Sequence, residues 1–397
     1  MKNKGINFSY GRQTIAQDDI EAVLRVLQSN WLTQGPIIQE FENNLSKKFG
    51  AKYVSVVSNG TAALHLTGLA LGWKEKDIVI TSPITFLASA NCIVYAGATP
   101  DFVDIDEKYY TIDLNKLEII IKKYQKEKKK IKAVVAVDYA GQPCDWIGLR
   151  FLANKYEFQL VNDNCHALGA KYYGSEKYAL KYADAVCQSY HPVKHITTGE
   201  GGAVLTNNEE VNEKVKILRT HGIIKGENKC KLKNKDSNKE SWYYEMQVLG
   251  FNYRITDFQC ALGISQLKKL DKFVKIRREI AKYYNKEFGN DERFIIPKAM
   301  KYAKHSYHLY PLLINCEKVK KSKVKIFNEL KGSGINCQVH YIPVYLQPYY
   351  SENFGFKIGD FPASEQFYKN EISIPMYPSL SSINTRHISR IIKNIIY

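Results

Sequence analysis

No apolar stretch in this sequence approaches the roughly 20 residues that a membrane-crossing helix requires, which excludes an integral helical membrane protein. The opening residues, Met1-Lys2-Asn3-Lys4-Gly5, carry positive charge but lead into no long apolar segment, so no signal peptide is expected and a cytoplasmic setting is. The cysteines at 92, 144, 165, 187, 230, 260, 316 and 337 form no CxxC pair and show no His/Cys ligand spacing. Reduced thiols are therefore expected, with no disulfide framework and no metal. No internal repeat is present. Acidic side chains are the minority: 40 Asp+Glu face 57 Lys+Arg, a formal net charge of +17. Such a surplus raises the question of nucleic acid. Much of it, however, sits in tracts at 122–130 and 225–233, between or at the ends of periodic elements, so no nucleic-acid partner is expected. A basic surface suits an anionic small substrate equally well.

What is present is a chain of 397 residues, 45% of them hydrophobic, enough for a large core and two domains. Apolar runs at 54–57, 77–81, 99–105, 131–137, 158–161, 183–188 and 203–206 read as strands. Helical spacing separates most of them, with helices expected from 60, from 84, over 114–124 and over 146–156. This alternation describes an α/β sandwich around a mainly parallel sheet, whose chemistry is expected at strand exits. A long basic amphipathic helix from Leu270 to Phe288 then bridges to a smaller α+β region. The expected division is 1–268 for the N-terminal segment and large domain, and 269–397 for the linking helix and small domain. The polar stretch 225–240 reads as a surface loop.

Four strand exits carry reactive residue types. Ser58-Asn59-Gly60-Thr61 joins a strand to a helix start whose free amides suit a phosphate, although an ordinary helix start reads the same way. Phe86 follows the next strand, as a core residue or as cover for an aromatic ring. Asp163 and His166 follow the strand at 158–161. Asp163 suits a cationic ring nitrogen or a helix cap, and His166 suits a polar substituent or a structural role. Residues 189–202 place Lys194 in a tight connection between buried strands, where a lowered pKa would make an amine nucleophile and proton carrier, although in a chain this rich in lysine a solvated surface residue reads the same way. Val339-His340-Tyr341-Ile342-Pro343-Val344-Tyr345 offers polar and aromatic groups to a cleft.

Residues 189–202, Ser58-Asn59-Gly60-Thr61, Asp163-Asn164-Cys165-His166-Ala167 and Gly250-Phe251-Asn252-Tyr253-Arg254-Ile255-Thr256-Asp257 together resemble the nucleotide-sugar aminotransferases of the DegT/DnrJ/EryC1/StrS family. The resemblance covers nearly the whole chain. It implies the fold-type I architecture of pyridoxal 5'-phosphate (PLP) enzymes: a large three-layer α/β/α domain and a smaller C-terminal α+β domain. It further implies that Lys194 carries the cofactor covalently, that Asp163 pairs with its ring nitrogen, and that His166 lies by its ring hydroxyl. Phe86 matches the aromatic residue that stacks on the ring. Thr61, the amide of Ala62 and Ser189 match phosphate-binding positions, with Gly60 in the same turn. Asn252 matches a residue that reaches the phosphate from the neighbouring subunit, which implies a homodimer with shared sites. Asn162 departs from the pattern, since many relatives carry Glu there.

The implied reaction moves the amino group of L-glutamate to a sugar carbonyl, with the cofactor cycling through pyridoxamine 5'-phosphate and 2-oxoglutarate released. Residues 191–202, 242–247 and 339–344 are most similar to the branch that aminates UDP-4-keto-6-deoxy-N-acetyl-β-L-altrosamine at C4 in pseudaminic acid synthesis. Tyr10, Trp31, His221, Tyr243, Arg254 and His340 are the candidates for the substrate cleft, because a UDP-sugar needs stacking and donors to its diphosphate. Three other readings compete. One is an aminotransferase of another UDP- or dTDP-linked keto-hexose. Another is a sugar deoxygenase of the same fold, a branch that uses histidine where Lys194 stands. The third is a noncatalytic sugar-nucleotide-binding protein.

Overall fold

The structure, a computed structural model, describes residues 7–226, 230–231 and 241–396. Most of the loop expected at 225–240 lies outside the described residues. The centre is a seven-stranded sheet. From one edge its order is Tyr53–Val57, Gly202–Thr206, Ala185–Ser189, Gln159–Asp163, Ile131–Val137, Ile78–Thr81 and Thr99–Phe102. Gly202–Thr206 runs antiparallel to both its neighbours, and the remaining pairs are parallel.

The sequence of the Ile131–Val137 strand, Ile-Lys-Ala-Val-Val-Ala-Val, shows why this sheet is covered on both sides. Val134 and Ala136 join a core with Phe41, Trp146 and Leu149, while Ala133 and Val135 join another with Leu64, Leu66 and Ile93. Successive side chains of a strand point to opposite faces, so a nearly continuous apolar run needs helices on each. The result is the expected three-layer α/β/α unit. Register then brings the strand exits level: Val137 pairs with Asp163, and Asp163 with Cys187.

One boundary differs from expectation. The helix expected from Ile84 begins at Ala88, and residues 82–87 form a connection after the Ile78–Thr81 strand. Ser89 N–H donates to Phe86 O, and the Thr85 hydroxyl pairs with the Ser89 hydroxyl at 2.7 Å, which ties this connection to the first helical turn. Phe86 consequently stays out of the core, 54% exposed.

The Leu270–Phe288 helix spans two cores. Leu270, Phe273 and Val274 pack in the large one, whereas Ile280, Ala281, Tyr284 and Phe288 pack in a second. That second core lies against an antiparallel sheet ordered Phe294–Ile295, Tyr310–Ile314, Glu371–Ile374, with Ile326, Leu330, Ile388 and Ile392 from two further helices. The N-terminal strand stands apart from a division at 268/269. Phe8–Ser9 pairs in parallel with Ile335–Asn336, and Phe8 belongs to the second core. Among the described residues, no helix is long and apolar enough to cross a membrane.

Candidate active site

A cleft of about 700 Å³ opens at the ends of the parallel strands, between them and residues 338–342. Gly60, Thr61, Phe86, Asp163, His166, Ser189 and Lys194 all line it, as do Tyr10 and His340. Residues separated by up to 330 positions are thus brought to one place.

Lys194 lies in the connection between Ala185–Ser189 and Gly202–Thr206. This connection folds back on itself: Tyr190 N–H donates to Gly201 O (2.8 Å), Thr198 N–H to Tyr190 O (3.0 Å), and Lys194 N–H to His191 O (2.9 Å). Burial pushes the Lys194 amine below its ordinary pKa, while Cys165 and Asp163 pull it back up. A larger neutral fraction makes the amine a better nucleophile near neutral pH.

Asp163 ends the Gln159–Asp163 strand with its carboxylate almost wholly buried. Its Oδ1 accepts from Cys165 N–H (3.1 Å) and its Oδ2 from the Ser89 hydroxyl (2.6 Å). Because Ser89 donates to Asp163, its oxygen is left to accept from Thr85 (2.7 Å). The helix-cap reading of Asp163 therefore gives way to a carboxylate fixed by two donors and aimed into the cleft.

His166 takes the Ala140 N–H at Nδ1 (3.4 Å) and meets the Tyr341 hydroxyl at Nε2 (3.2 Å). Acceptance at Nδ1 places the neutral ring's proton on Nε2. Burial first, and then the charge of Lys194, holds the His166 pKa well below the usual range. His308, whose ring centroid is 4.4 Å from that of His166, is depressed for the same two leading reasons, and His340 falls to about 3. These imidazoles are neutral and share the cleft with one amine.

Beside them, Gly60–Ala70 presents its N-terminus to the cleft. The amides of Gly60 and Thr61 precede the first intrahelical bond and point out of the helix end, where an anion is favoured. A Cβ on Gly60 would stand 2.8 Å from Ser189 Cβ, so glycine is what lets the Ser189 hydroxyl approach this cradle. Ala62 departs from the expectation. Its N–H is taken by the Asn59 side chain (2.8 Å), because Asn59 is the extended N-cap of this helix, and Ala62 does not line the cleft.

Other expected residues lie elsewhere. Asn252 is exposed and bridges Thr220 through its backbone. Trp31, 56% exposed, is held beside Gly35 just after the Gln17–Leu27 helix. His221 is exposed, with its N–H donated to Phe251 O. The Tyr243 hydroxyl donates to Glu245 (2.9 Å), next to a two-stranded ribbon formed by Ile223–Lys225 and Tyr244–Met246. Arg254 lines a separate groove with Arg219, Gln34 and Gln39. Of the substrate-cleft candidates, only Tyr10 and His340 line the cleft, with ring centroids 5.0 Å apart. The aromatic and polar character that singled out the others belongs to surfaces away from the strand exits.

Sequence reasoning also missed residues of the site. Ser89, buried behind the cleft wall where its hydroxyl donates to Asp163, carried no signal, being 74 positions from that partner. His308 and Gln338 line the cleft without a local motif, whereas Tyr341 lies in the aromatic stretch already noted.

The model of the DegT/DnrJ/EryC1/StrS aminotransferase family matches residues 13–395. The chain belongs to that family. It is 42% identical over 374 residues to the UDP-4-amino-4,6-dideoxy-N-acetyl-beta-L-altrosamine transaminase of Campylobacter jejuni, covering 94% of this chain and 93% of the relative. An uncharacterised protein of Methanocaldococcus jannaschii is also 42% identical, over 97% of this chain and 96% of its own. Among solved structures, the Helicobacter pylori PseC aminotransferase of pseudaminic acid biosynthesis superposes with a TM-score of 0.88 at 33% identity, covering 98% and 99% of the two chains. A sugar aminotransferase of Streptococcus pneumoniae in its PLP form gives 0.85 at 27% identity, covering 98% of each. The chain is thus a PLP-dependent aminotransferase of fold type I. The residues present fit that cofactor: an amine for its aldehyde, a buried carboxylate for its ring nitrogen, and a helix N-terminus for its phosphate.

Proposed function

We propose that this enzyme transfers the amino group of L-glutamate to C4 of UDP-4-keto-6-deoxy-N-acetyl-β-L-altrosamine, giving UDP-4-amino-4,6-dideoxy-N-acetyl-β-L-altrosamine and 2-oxoglutarate, a step toward pseudaminic acid. The carrying observation is that Lys194, Asp163 and the Gly60 cradle converge on one cleft in a chain 42% identical to a C. jejuni transaminase of that sugar. Bound there, the cofactor supplies an electron sink for the carbon that loses its proton and, alternating between pyridoxal and pyridoxamine phosphate, stores the amino group between half-reactions.

The chain's own groups divide the remaining work. Lys194, its amine made less basic by burial, would hold the cofactor and serve as the base that moves a proton at the reacting carbons. Asp163, fixed by Ser89 and Cys165, holds a proton on the ring nitrogen. His166, whose Nε2 proton now faces the Tyr341 hydroxyl, would turn that proton to the ring hydroxyl, and Phe86, exposed on the cleft wall, would cover the ring. Gly60, Thr61 and Ser189 hold the phosphate. Tyr10 and His340 flank the sugar. Asn252 reaches the phosphate of a second subunit in a cytoplasmic homodimer; its exposure on this subunit supports that role, as do exposed Trp242, Met246 and Leu249 nearby in sequence. We further assign residues 1–268 to the cofactor-binding domain, the Phe8–Ser9 strand excepted, and 269–397 to the small domain.

The test is to incubate purified protein with L-glutamate and the keto-sugar nucleotide, then identify the product and its C4 configuration. Formation of the 4-amino sugar with 2-oxoglutarate is expected. Equal turnover of the D-configured 4-keto-6-deoxy-N-acetylglucosamine nucleotide would overturn the narrow assignment in favour of a broader keto-sugar aminotransferase.

A further inference from the structure

Behind the Asp163 carboxylate lies a second one, that of Asp138, wholly buried and used by none of the steps above. Asp138 follows the Ile131–Val137 strand, next to the Gln159–Asp163 strand that ends in Asp163. Side chains alternate along a strand, so Val137 and Asp163, which pair in register, both face the cleft. Asp138, Asn162 and Asn164 face the other way.

There the Asp138 carboxylate gathers five donors. Its Oδ1 accepts from Cys144 N–H (2.8 Å) and the Trp146 indole (3.0 Å). Its Oδ2 accepts from the Tyr178 hydroxyl (2.6 Å), Asn164 Nδ2 (3.0 Å) and Asn162 Nδ2 (3.1 Å). Asn162 and Asn164 are the two residues that flank Asp163. Asp138 N–H also donates to Asp163 O (3.1 Å), and Asn164 Nδ2 has a second contact with the Tyr178 hydroxyl (3.0 Å). The backbone of Asp163 is thereby pinned before, at and after the residue, and pinned backbone fixes where its side chain points.

We propose that Asp138 is a positioning residue for the cofactor carboxylate, holding Asp163 in its orientation by anchoring Asn162, Asn164 and the Asp163 carbonyl. The inference rests on the PLP reading of the cleft. Its physical core is that only an acceptor at position 138 satisfies donors arriving from both sides. Burial pushes the Asp138 carboxyl up to about 6, with its donors pulling the other way, so it remains an anionic acceptor at neutral pH. An amide in its place turns one acceptor atom into a donor that faces other donors.

The experiment compares the parent with Asp138→Asn and Tyr178→Phe in the full-length protein. It measures the PLP dissociation constant, the pH titration of the bound cofactor's visible absorption, kcat and KM for L-glutamate, and Tm. Losing a hydrogen bond to a charged group at a buried site corresponds to about tenfold or more in an equilibrium constant. Asp138→Asn is expected to weaken PLP binding about tenfold, shift the cofactor titration and lower kcat, with KM for glutamate unchanged within twofold. Tyr178→Phe, which removes one of the five donors to Asp138 and one acceptor of Asn164, is expected to shift the same quantities less. If either folded variant keeps the parental dissociation constant and titration while Tm alone falls, Asp138 is merely structural and the proposal is overturned. Should Asp138→Asn fail to fold, Tyr178→Phe decides by the same criterion. A parent that binds no PLP would overturn the cofactor reading and this inference together, whereas a binding parent with unchanged variants overturns this inference alone.

Discussion

Two glycines of one helix separate the cradle's function from its packing. Gly60 opens the Gly60–Ala70 helix at the cleft, and Gly68 lies near the other end of it. An alanine at 60 would set its methyl carbon 2.8 Å from Ser189 Cβ and 3.2 Å from Ser189 Oγ. Carbon atoms in ordinary contact stand about 3.5–4.0 Å apart, so the overlap is about 0.7 Å or more. Ser189 cannot retreat, because it ends a central strand and pairs with Gly202, where a Cβ would in turn stand 2.5 Å from Asn59 O. The helix start must move instead, and with it the amides of Gly60 and Thr61. Overpacking of this kind costs about 1–3 kcal/mol. If the strain falls on the cradle, PLP binding weakens by about 5- to 150-fold.

Gly68→Ala is the matched control. Its methyl would stand 2.6 Å from the Trp73 ring, which is buried and held by a bond from its indole N–H to Gln159 (2.9 Å). The overlap is as severe, but it lies outside the cleft. Alanine's better helix propensity offsets up to about 1 kcal/mol at an interior position such as this one. The assay is the PLP dissociation constant by equilibrium dialysis, read beside Tm for both variants. Gly60→Ala should lose affinity at least fivefold, whereas Gly68→Ala should lose Tm with affinity kept within twofold. Equal effects of the two substitutions on affinity would refute the assignment of this helix end as the phosphate cradle.

Three further outcomes are expected. Lys194→Ala should show no covalent cofactor adduct by mass spectrometry after borohydride reduction, and no turnover; full retained turnover would remove Lys194 from the mechanism. Phe86→Ala should weaken PLP about two- to tenfold, the 0.5–1.5 kcal/mol typical of an aromatic pair, while Tm of the cofactor-free protein holds because the ring is half exposed there. A fall in that Tm would make Phe86 a packing residue instead. Glu371, fully buried and accepting from His340 N–H and the Ser373 hydroxyl, has its carboxyl pushed up to about 7 by burial from an ordinary 4.5. Between those pH values the folded chain holds a proton that the unfolded chain has released, so this contribution to stability is full at the acid end and is lost as pH rises. Glu371→Gln should therefore flatten the decline in Tm over pH 4.5–7, and parallel profiles would exclude Glu371 as its source.

The convergence of Gly60, Thr61, Asp163, Ser189 and Lys194 on one cleft was legible in sequence because each of these parts follows a local rule. A strand running into Ser58-Asn59-Gly60-Thr61, or into Asp163, places its last residues at the sheet's edge whatever the rest of the chain does, and consecutive parallel strands share that edge. Ala62 does not join the cleft lining because the rule that makes a helix start attractive to phosphate also recruits an N-cap, and Asn59 accepts from that amide. The start of the Ala88–Tyr95 helix was missed because apolar spacing does not register the connection that keeps Phe86 outside it. The substrate half obeys no such rule. Tyr10 faces the cleft because Phe8–Ser9 pairs with Ile335–Asn336 and Tyr10 O accepts from Met376 N–H, contacts made across more than 300 positions. His340 and Tyr341 are there because the second core docks beside the strand exits, a consequence of the Leu270–Phe288 helix sharing both cores. Trp31, Tyr243 and Arg254 have the chemistry a sugar nucleotide wants, but chemistry does not place a side chain. On the proposed assignment, selectivity for one keto-sugar should therefore respond to substitutions in the strand and loop that bring Tyr10 and His340 together, and leave PLP affinity, which that assignment gives to the sheet's edge, largely intact.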